Sequence, residues 1–172
     1  GGGICQVSST LYNAVLRTEV EVVDRTHHSW PLSYVDEGLD ATISTGAPDF
    51  KIKNNFDTPI IIAATCDGMK GKVEVSIYRP AMEYTLDFYS KVIERSYTAG
   101  TQTIVDNTMA PGTSRTAIGE HPKVVANVYK KTFDLEGNQI GEDEMVSTEV
   151  YAAKPAKVYV GPAAPTTTQP QT

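Results

Sequence analysis

Gly1-Gly2-Gly3-Ile4-Cys5-Gln6-Val7-Ser8-Ser9-Thr10-Leu11-Tyr12 opens the chain and decides how the rest is read. Val7, Leu11, Ala14 and Val15 recur at helical spacing, with Tyr12 and Leu16 beside them, so residues 6–17 read as a helix that starts as early as Cys5. Ser8 and Ser9 are candidate capping residues. No second helical pattern follows. The expected fold class is therefore α+β, with an N-terminal helix packed on an antiparallel sheet and then an elongated all-β module.

The strand pattern begins at Val20, Val22 and Val23, with an end near Arg25. Phe50-Lys51-Ile52-Lys53 alternates and Asn54-Asn55-Phe56-Asp57 reads as a turn. Pro59 to Thr65 reads as an apolar strand, Cys66-Asp67-Gly68-Met69 as a tight turn, and Val73 to Tyr78 as its hairpin partner. Further on, Tyr84 to Tyr89 and Lys123 to Tyr129 alternate, Met109 to Glu120 reads as loop, and Leu135-Glu136-Gly137-Asn138 as a turn. Val146 to Tyr151 and Lys157 to Val160 read as closing strands. The division expected is 1–80, 81–160, and a tail at 161–172 whose three prolines, four threonines and lack of charge leave nothing to pack.

Composition narrows the function. Of 172 residues, 40% are hydrophobic and 21% charged, a globular balance. Fifteen Lys and Arg against 21 Asp and Glu give a net charge of -6, which argues against a nucleic-acid groove or an anionic membrane surface. Two cysteines, Cys5 and Cys66, are too few for a disulfide framework. No run of 18 apolar residues is present, and no leader segment is visible. The abrupt glycine start is expected to belong to a longer protein, with any membrane anchor upstream.

The glycine run lets the backbone take positive φ and approach a ligand closely. The cysteine behind it stands at a helix N-terminus, where unpaired N–H groups and the partial positive charge stabilise a thiolate and could receive an oxyanion. This order fits Cys5 as a nucleophile; a small buried cysteine that merely starts a helix fits it too. His27 and His28 follow 22 and 23 residues later, and Asp40 lies 12 residues beyond His28. A base and an orienting carboxylate could come from these, or they are a solvated strand end and a turn aspartate. Arg25 could bind a carboxylate or pair with an acidic neighbour, and Trp30 could line a groove or sit in the core. His121 reads as a surface residue and Cys66 as a bystander. The Cys and His residues show no metal-type spacing, so neither metal nor other cofactor is expected.

Gly1 through Ala14 resembles the signature block of the VanW family, named from vancomycin-resistance clusters. The resemblance continues through Arg25, His28-Ser29 with Tyr34-Val35, Gly38-Leu39-Asp40-Ala41-Thr42, Phe50-Lys51-Ile52-Lys53-Asn54-Asn55 and Pro59-Ile60-Ile61-Ile62. It implies that residues 1–80 are the C-terminal part of a catalytic domain whose beginning lies before Gly1. Residues 81–160 are similar, more loosely, to the β-rich, glycine-named surface module linked to cell-wall binding in Gram-positive bacteria. The resemblance implies an extracellular peptidoglycan L,D-transpeptidase that acts on stem peptides through a cysteine thioester. Cys5 would be the nucleophile, His28 the base with His27 its rival, and Asp40 the orienter. Gly2, Gly3, Gln6, Arg25 and Trp30 would contact substrate. A cysteine-dependent wall hydrolase or amidase, and a non-catalytic wall-binding module, remain the alternatives.

Overall fold

The computed structural model describes residues 2–163. The fold is α+β: helix α1 (Ile4–Leu16) lies against a β-hairpin, and a mostly β chain follows. Gly2 and Gly3 take the left-handed conformation, φ 78° and 84°, which turns the chain into the helix at little steric cost. Gly3 is the N-cap. It offers no side chain, and its carbonyl instead receives the N–H groups of Gln6 and Val7 at 3.0 and 3.2 Å. The helix thus begins two residues earlier than the apolar periodicity suggests, and Ser8 and Ser9 lie inside it.

Two compact units divide the described chain: residues up to 94 with 124–151, and residues 95–123 with the chain from 152 on. In the first, β1 (Glu21–Asp24) pairs antiparallel with β2 (Lys51–Lys53), Val22 opposite Ile52. Strands β3 (Ile61–Asp67) and β4 (Lys72–Tyr78) form the hairpin, with Ile61 opposite Tyr78 and Asp67 opposite Lys72. Cys66 and Asp67 are strand residues rather than turn residues. The turn is displaced to 68–71, because Asp67 Oδ1 accepts from the Met69 and Lys70 N–H groups, both at 3.1 Å, and caps it. Strands β5 (Tyr84–Ser96), β8 (Lys123–Asp134) and β9 (Glu144–Tyr151) make a three-stranded sheet in the order β5-β8-β9. Val124, Ala126 and Val128 alternate inward along β8, and Leu39, Phe88 and Val128 form a core cluster with Leu16, Val35 and Leu86 against it.

This first unit does not stop at residue 80, where the sequence pattern suggests a break. The second unit holds β6 (Thr101–Val105), β7 (Ser114–Ile118) and β10 (Ala156–Val160), with β10 parallel to β6 and antiparallel to β7. Strand β7 corrects the reading of 109–120 as all loop. Its five residues are all exposed, so no buried face writes an alternation into the sequence. His121 pairs with Lys154 through two backbone hydrogen bonds of 2.9 Å. The expected tail falls largely on 164–172, outside the described residues.

Residues 38–41 are buried without belonging to a helix or strand. Their carbonyls must therefore find side-chain donors. Helix α1 supplies one row. Asn13 Nδ2 donates to Leu39 O at 2.7 Å, Ser8 Oγ and Ser9 Oγ donate to Ala41 O at 2.6 and 3.3 Å, and Cys5 Sγ donates to Ile43 O at 3.5 Å. The periods match. Four helical residues rise about 6 Å and two extended residues about 6.6 Å, so Cys5, Ser9 and Asn13 meet every second carbonyl of an antiparallel neighbour.

Gly38 fixes the start of this segment. Its φ is 85°, and a Cβ there would lie 2.6 Å from Val128 Cγ2 and 2.9 Å from Glu149 Cγ. Gly38→Ala is expected to lower stability by about 2–4 kcal/mol, from left-handed strain plus overpacking. Urea unfolding measures this, and an unchanged midpoint would mean the packing has slack there.

Candidate functional site

Cys5 is half-buried in the first turn of α1. A hollow of about 150 Å³ beside it is lined by Gly3, Ile4, Cys5, Gln6 and Tyr34. Ile4 and Cys5 are the first helical residues, so their N–H groups have no intrahelical carbonyl to reach. The Gln6 N–H, by contrast, is taken by Gly3 O. Gly2 and Gly3 are exposed at this end.

Twelve residues separate His28 from Asp40, and the structure closes that gap. The His28 backbone N–H and ring Nδ1 both meet Asp40 Oδ2 at 2.6 Å. A carboxylate only accepts, so Nδ1 carries the proton and the neutral ring keeps its lone pair on Nε2. His27 is held differently. Its Nδ1 donates to the His28 carbonyl at 2.6 Å, its ring packs 4.6 Å from the Tyr151 ring, and its Nε2 lies 3.9 Å from Glu149 Oε2. The two histidines and Trp30, which is 40% exposed, line a hollow of about 340 Å³ with Thr26, Ser29, Thr42 and Pro48.

Asp40 is 2% exposed and still holds its charge. Burial pushes its carboxyl up. The hydrogen bonds from Tyr151 and from the His28 backbone and ring, with the Arg25 charge, outweigh burial and leave it below the usual carboxylate range. Tyr151 Oη donates to Asp40 Oδ1 at 2.6 Å and accepts from the Gly38 N–H at 2.7 Å. Burial first, and the neighbouring Asp40 carboxylate second, raise the Tyr151 phenol, so it remains a donor.

Arg25 spends its donors inside the protein. Nε donates to Asp40 O at 2.7 Å, one terminal nitrogen to Gly38 O at 2.8 Å, and the other to Glu149 Oε1 at 2.9 Å. The guanidinium lies 4.8 Å over the Tyr12 ring, and its side chain is 10% exposed. Cys5 makes its hydrogen bond to Ile43 O, one residue from the Thr42 that lines the histidine hollow. The structure thus brings His28, Asp40 and Arg25 together, and gives Cys5, Gln6 and Gly3 a separate hollow. A further groove of about 560 Å³ runs past Ser9, Asn13, Tyr34, Asp36 and Glu37, sharing Tyr34 with the Cys5 hollow. Cys66 is exposed on the hairpin. Among the described residues no group of three or more His, Cys, Asp or Glu side chains is placed to hold a metal ion, and no helix is long and apolar enough to cross a membrane.

Tyr151 and Glu149 escaped the sequence reading. Both lie on β9, more than a hundred residues from their partners, and the only signal there is strand alternation. No local spacing announces such a contact.

The family match falls in the first half of the chain. Residues 1–78 match the family model described as VanW like protein. Uncharacterized protein YoaR of Bacillus subtilis is 47% identical over 78 residues, which is 45% of this chain and 25% of that protein. Vancomycin B-type resistance protein VanW of Enterococcus faecalis is 32% identical over 126 residues, 62% of this chain and 46% of that one. The chain therefore spans between a quarter and about half the length of these curated relatives. Among solved structures, the IgA1 protease G5 domain covers 48% of this chain and 96% of its own at 17% identity, with a TM-score of 0.30. The matched motifs and the colinear identity make residues 1–78 a VanW-family domain.

Proposed function

We propose that this protein acts outside the cell on peptidoglycan as a cysteine-dependent acyl transferase, an L,D-transpeptidase that forms 3→3 cross-links. The observation that carries the reading is the 2.6 Å contact between His28 Nδ1 and buried, ionised Asp40, which leaves Nε2 as the ring's available base. The resemblance and the relative named for vancomycin resistance point to the wall as the substrate.

This reading requires His28 Nε2, which lines a hollow separate from that of Cys5, to take the Cys5 thiol proton as the sulfur attacks the carbonyl between the third-residue diamino acid and the terminal D-alanine of a donor stem. The oxyanion is received by the unpaired N–H groups of Ile4 and Cys5 at the positive end of α1. His28 then protonates the leaving D-alanine nitrogen as the C–N bond breaks, and a thioester remains. The side-chain amine of an acceptor stem attacks, gives its proton to His28, and expels Cys5 as the new amide forms. Water in place of the amine gives carboxypeptidase activity. Gly2, Gly3 and Gln6 border the donor beside Cys5, and Trp30 borders the histidine hollow. Arg25 contributes by holding Asp40. No cofactor takes part. Residues 81–160 supply a β-rich wall-binding module, of which 124–151 also belong to the compact unit that holds Asp40.

A non-catalytic wall-binding module is the second reading, and one observation favours it. Cys5 continues the row of Ser9 and Asn13 that holds the buried segment, a structural use for its thiol.

The full-length protein incubated with tetrapeptide muropeptides is expected to yield 3→3 dimers by mass spectrometry, and Cys5→Ala to abolish them. Unchanged dimer yield in Cys5→Ala would sink the cysteine-dependent reading, and no dimers from wild type would favour the module. His28→Ala should slow turnover by about 10²–10⁴-fold, and the same loss in His27→Ala alone would reassign the base.

Asp40 also predicts a pH dependence of stability. Its folded pKa is depressed, so its contribution is complete above the unfolded value of about 3.9 and disappears as pH falls through the lower folded value. Asp40→Asn should cost about 3 kcal/mol in urea unfolding at pH 7, and the gap to wild type should narrow at pH 3 and below. An equal gap at both pH values would show that the carboxylate charge is not what stabilises the site.

A further inference from the structure

We infer that Tyr151 is a positioning residue for the His28–Asp40 pair, so that strand β9, which lies outside the 1–78 family match, completes the site; the inference rests on the acyl-transfer reading. The two Asp40 oxygens are held from opposite directions. Oδ2 receives both the backbone N–H and the ring Nδ1 of His28. Oδ1 receives the Tyr151 hydroxyl at 2.6 Å. That hydroxyl has no rotational choice, because it accepts from the Gly38 N–H at 2.7 Å and has one proton to give. Tyr151 itself is fully buried.

Without the hydroxyl, the remaining contact to Oδ1 is an Arg25 nitrogen at 3.5 Å, long for a hydrogen bond. The terminal torsion of aspartate has a broad, soft profile, so the carboxylate plane would then turn. Oδ2 would lose its fixed aim at Nδ1, and with it the preference for the Nε2 lone pair. The Tyr151 ring adds a second constraint, since His27 packs against it 4.6 Å away and is kept off the carboxylate. The phenol, raised by burial and by Asp40, stays protonated across the working pH range.

The test uses the full chain labelled with ¹⁵N in its imidazoles and ¹³C in its aspartate carboxyls. In wild type, neutral His28 should carry its proton on Nδ1 and the Asp40 carboxyl should titrate below the ordinary range. In Tyr151→Phe the tautomers should mix, the Asp40 titration should move up, and kcat for 3→3 dimer formation should fall about tenfold with KM unchanged. Val124→Ala, another buried truncation, should lower stability and leave tautomer and titration as in wild type. A wild-type tautomer and titration in Tyr151→Phe overturn the inference. Should the phenylalanine variant fail to fold, wild type decides: neutral His28 protonated on Nε2, or Asp40 titrating at or above the ordinary value, overturns it. Retained cross-linking in Cys5→Ala removes the acyl-transfer reading instead, while the tautomer measurement still decides what Tyr151 does.

Discussion

A buried carboxylate on a buried irregular backbone is the constraint from which the first compact unit follows. Residues 38–41 run through the interior without a ladder partner, and Asp40 adds a charge to a stretch that already has carbonyls to satisfy. An unpaired group there costs about 1–3 kcal/mol, and more when charged. The chain answers from three directions. Helix α1 sends Ser8, Ser9 and Asn13; the stretch after β1 sends Arg25 and His28; strand β9 sends Tyr151. Each of these side chains finds its place only when the segment is already positioned. The helix, the stretch after β1 and the β5-β8-β9 sheet are thereby tied into one cooperative unit.

The same constraint explains why the physical unit and the family match have different edges. The match ends at residue 78, yet the Gly38 N–H, Asp40 Oδ1 and Arg25 all have partners between 149 and 151. A boundary drawn from sequence similarity follows where motifs recur. A boundary drawn from contacts follows where buried polar groups are satisfied. Here the second encloses β8 and β9, because their inner face supplies both the apolar cover of Val124, Ala126 and Val128 and the hydroxyl that Asp40 needs.

Much of this was legible in the chain, and unevenly so. The helix could be read from the spacing of Val7, Leu11 and Val15, although Val15 alone of the three is buried and Val7 is exposed, and the β3–β4 hairpin from alternation and a Gly-containing turn. The approach of His28 to Asp40 was open only as a possibility, since 12 residues of irregular chain carry no period. Arg25 shows the limit from the other side. Its residue type suits a substrate carboxylate and a buried clamp equally well, and only the partners at 2.7–2.9 Å show where its donors are spent. Strand β7 left no trace because a strand with every side chain exposed has no face to mark.

The charges around Asp40 set what chemistry the proposed site can run. Arg25 stands between Asp40 and Glu149, so with both imidazoles neutral this cluster carries one net negative charge. In the proposed reaction the Cys5 proton passes to His28, and the cluster becomes neutral. The imidazolium then forms with Asp40 Oδ2 already 2.6 Å from its Nδ1, and no second cation has to be accommodated, because Arg25 is committed to Glu149 and to backbone carbonyls. Such prior arrangement of dipoles and charges needs no rearrangement at the moment of proton transfer. In the proposed reaction Arg25 therefore acts through charge balance and through its hold on Asp40. The -6 net charge of the whole chain says nothing of this, since the balance is struck among groups buried together rather than across the surface.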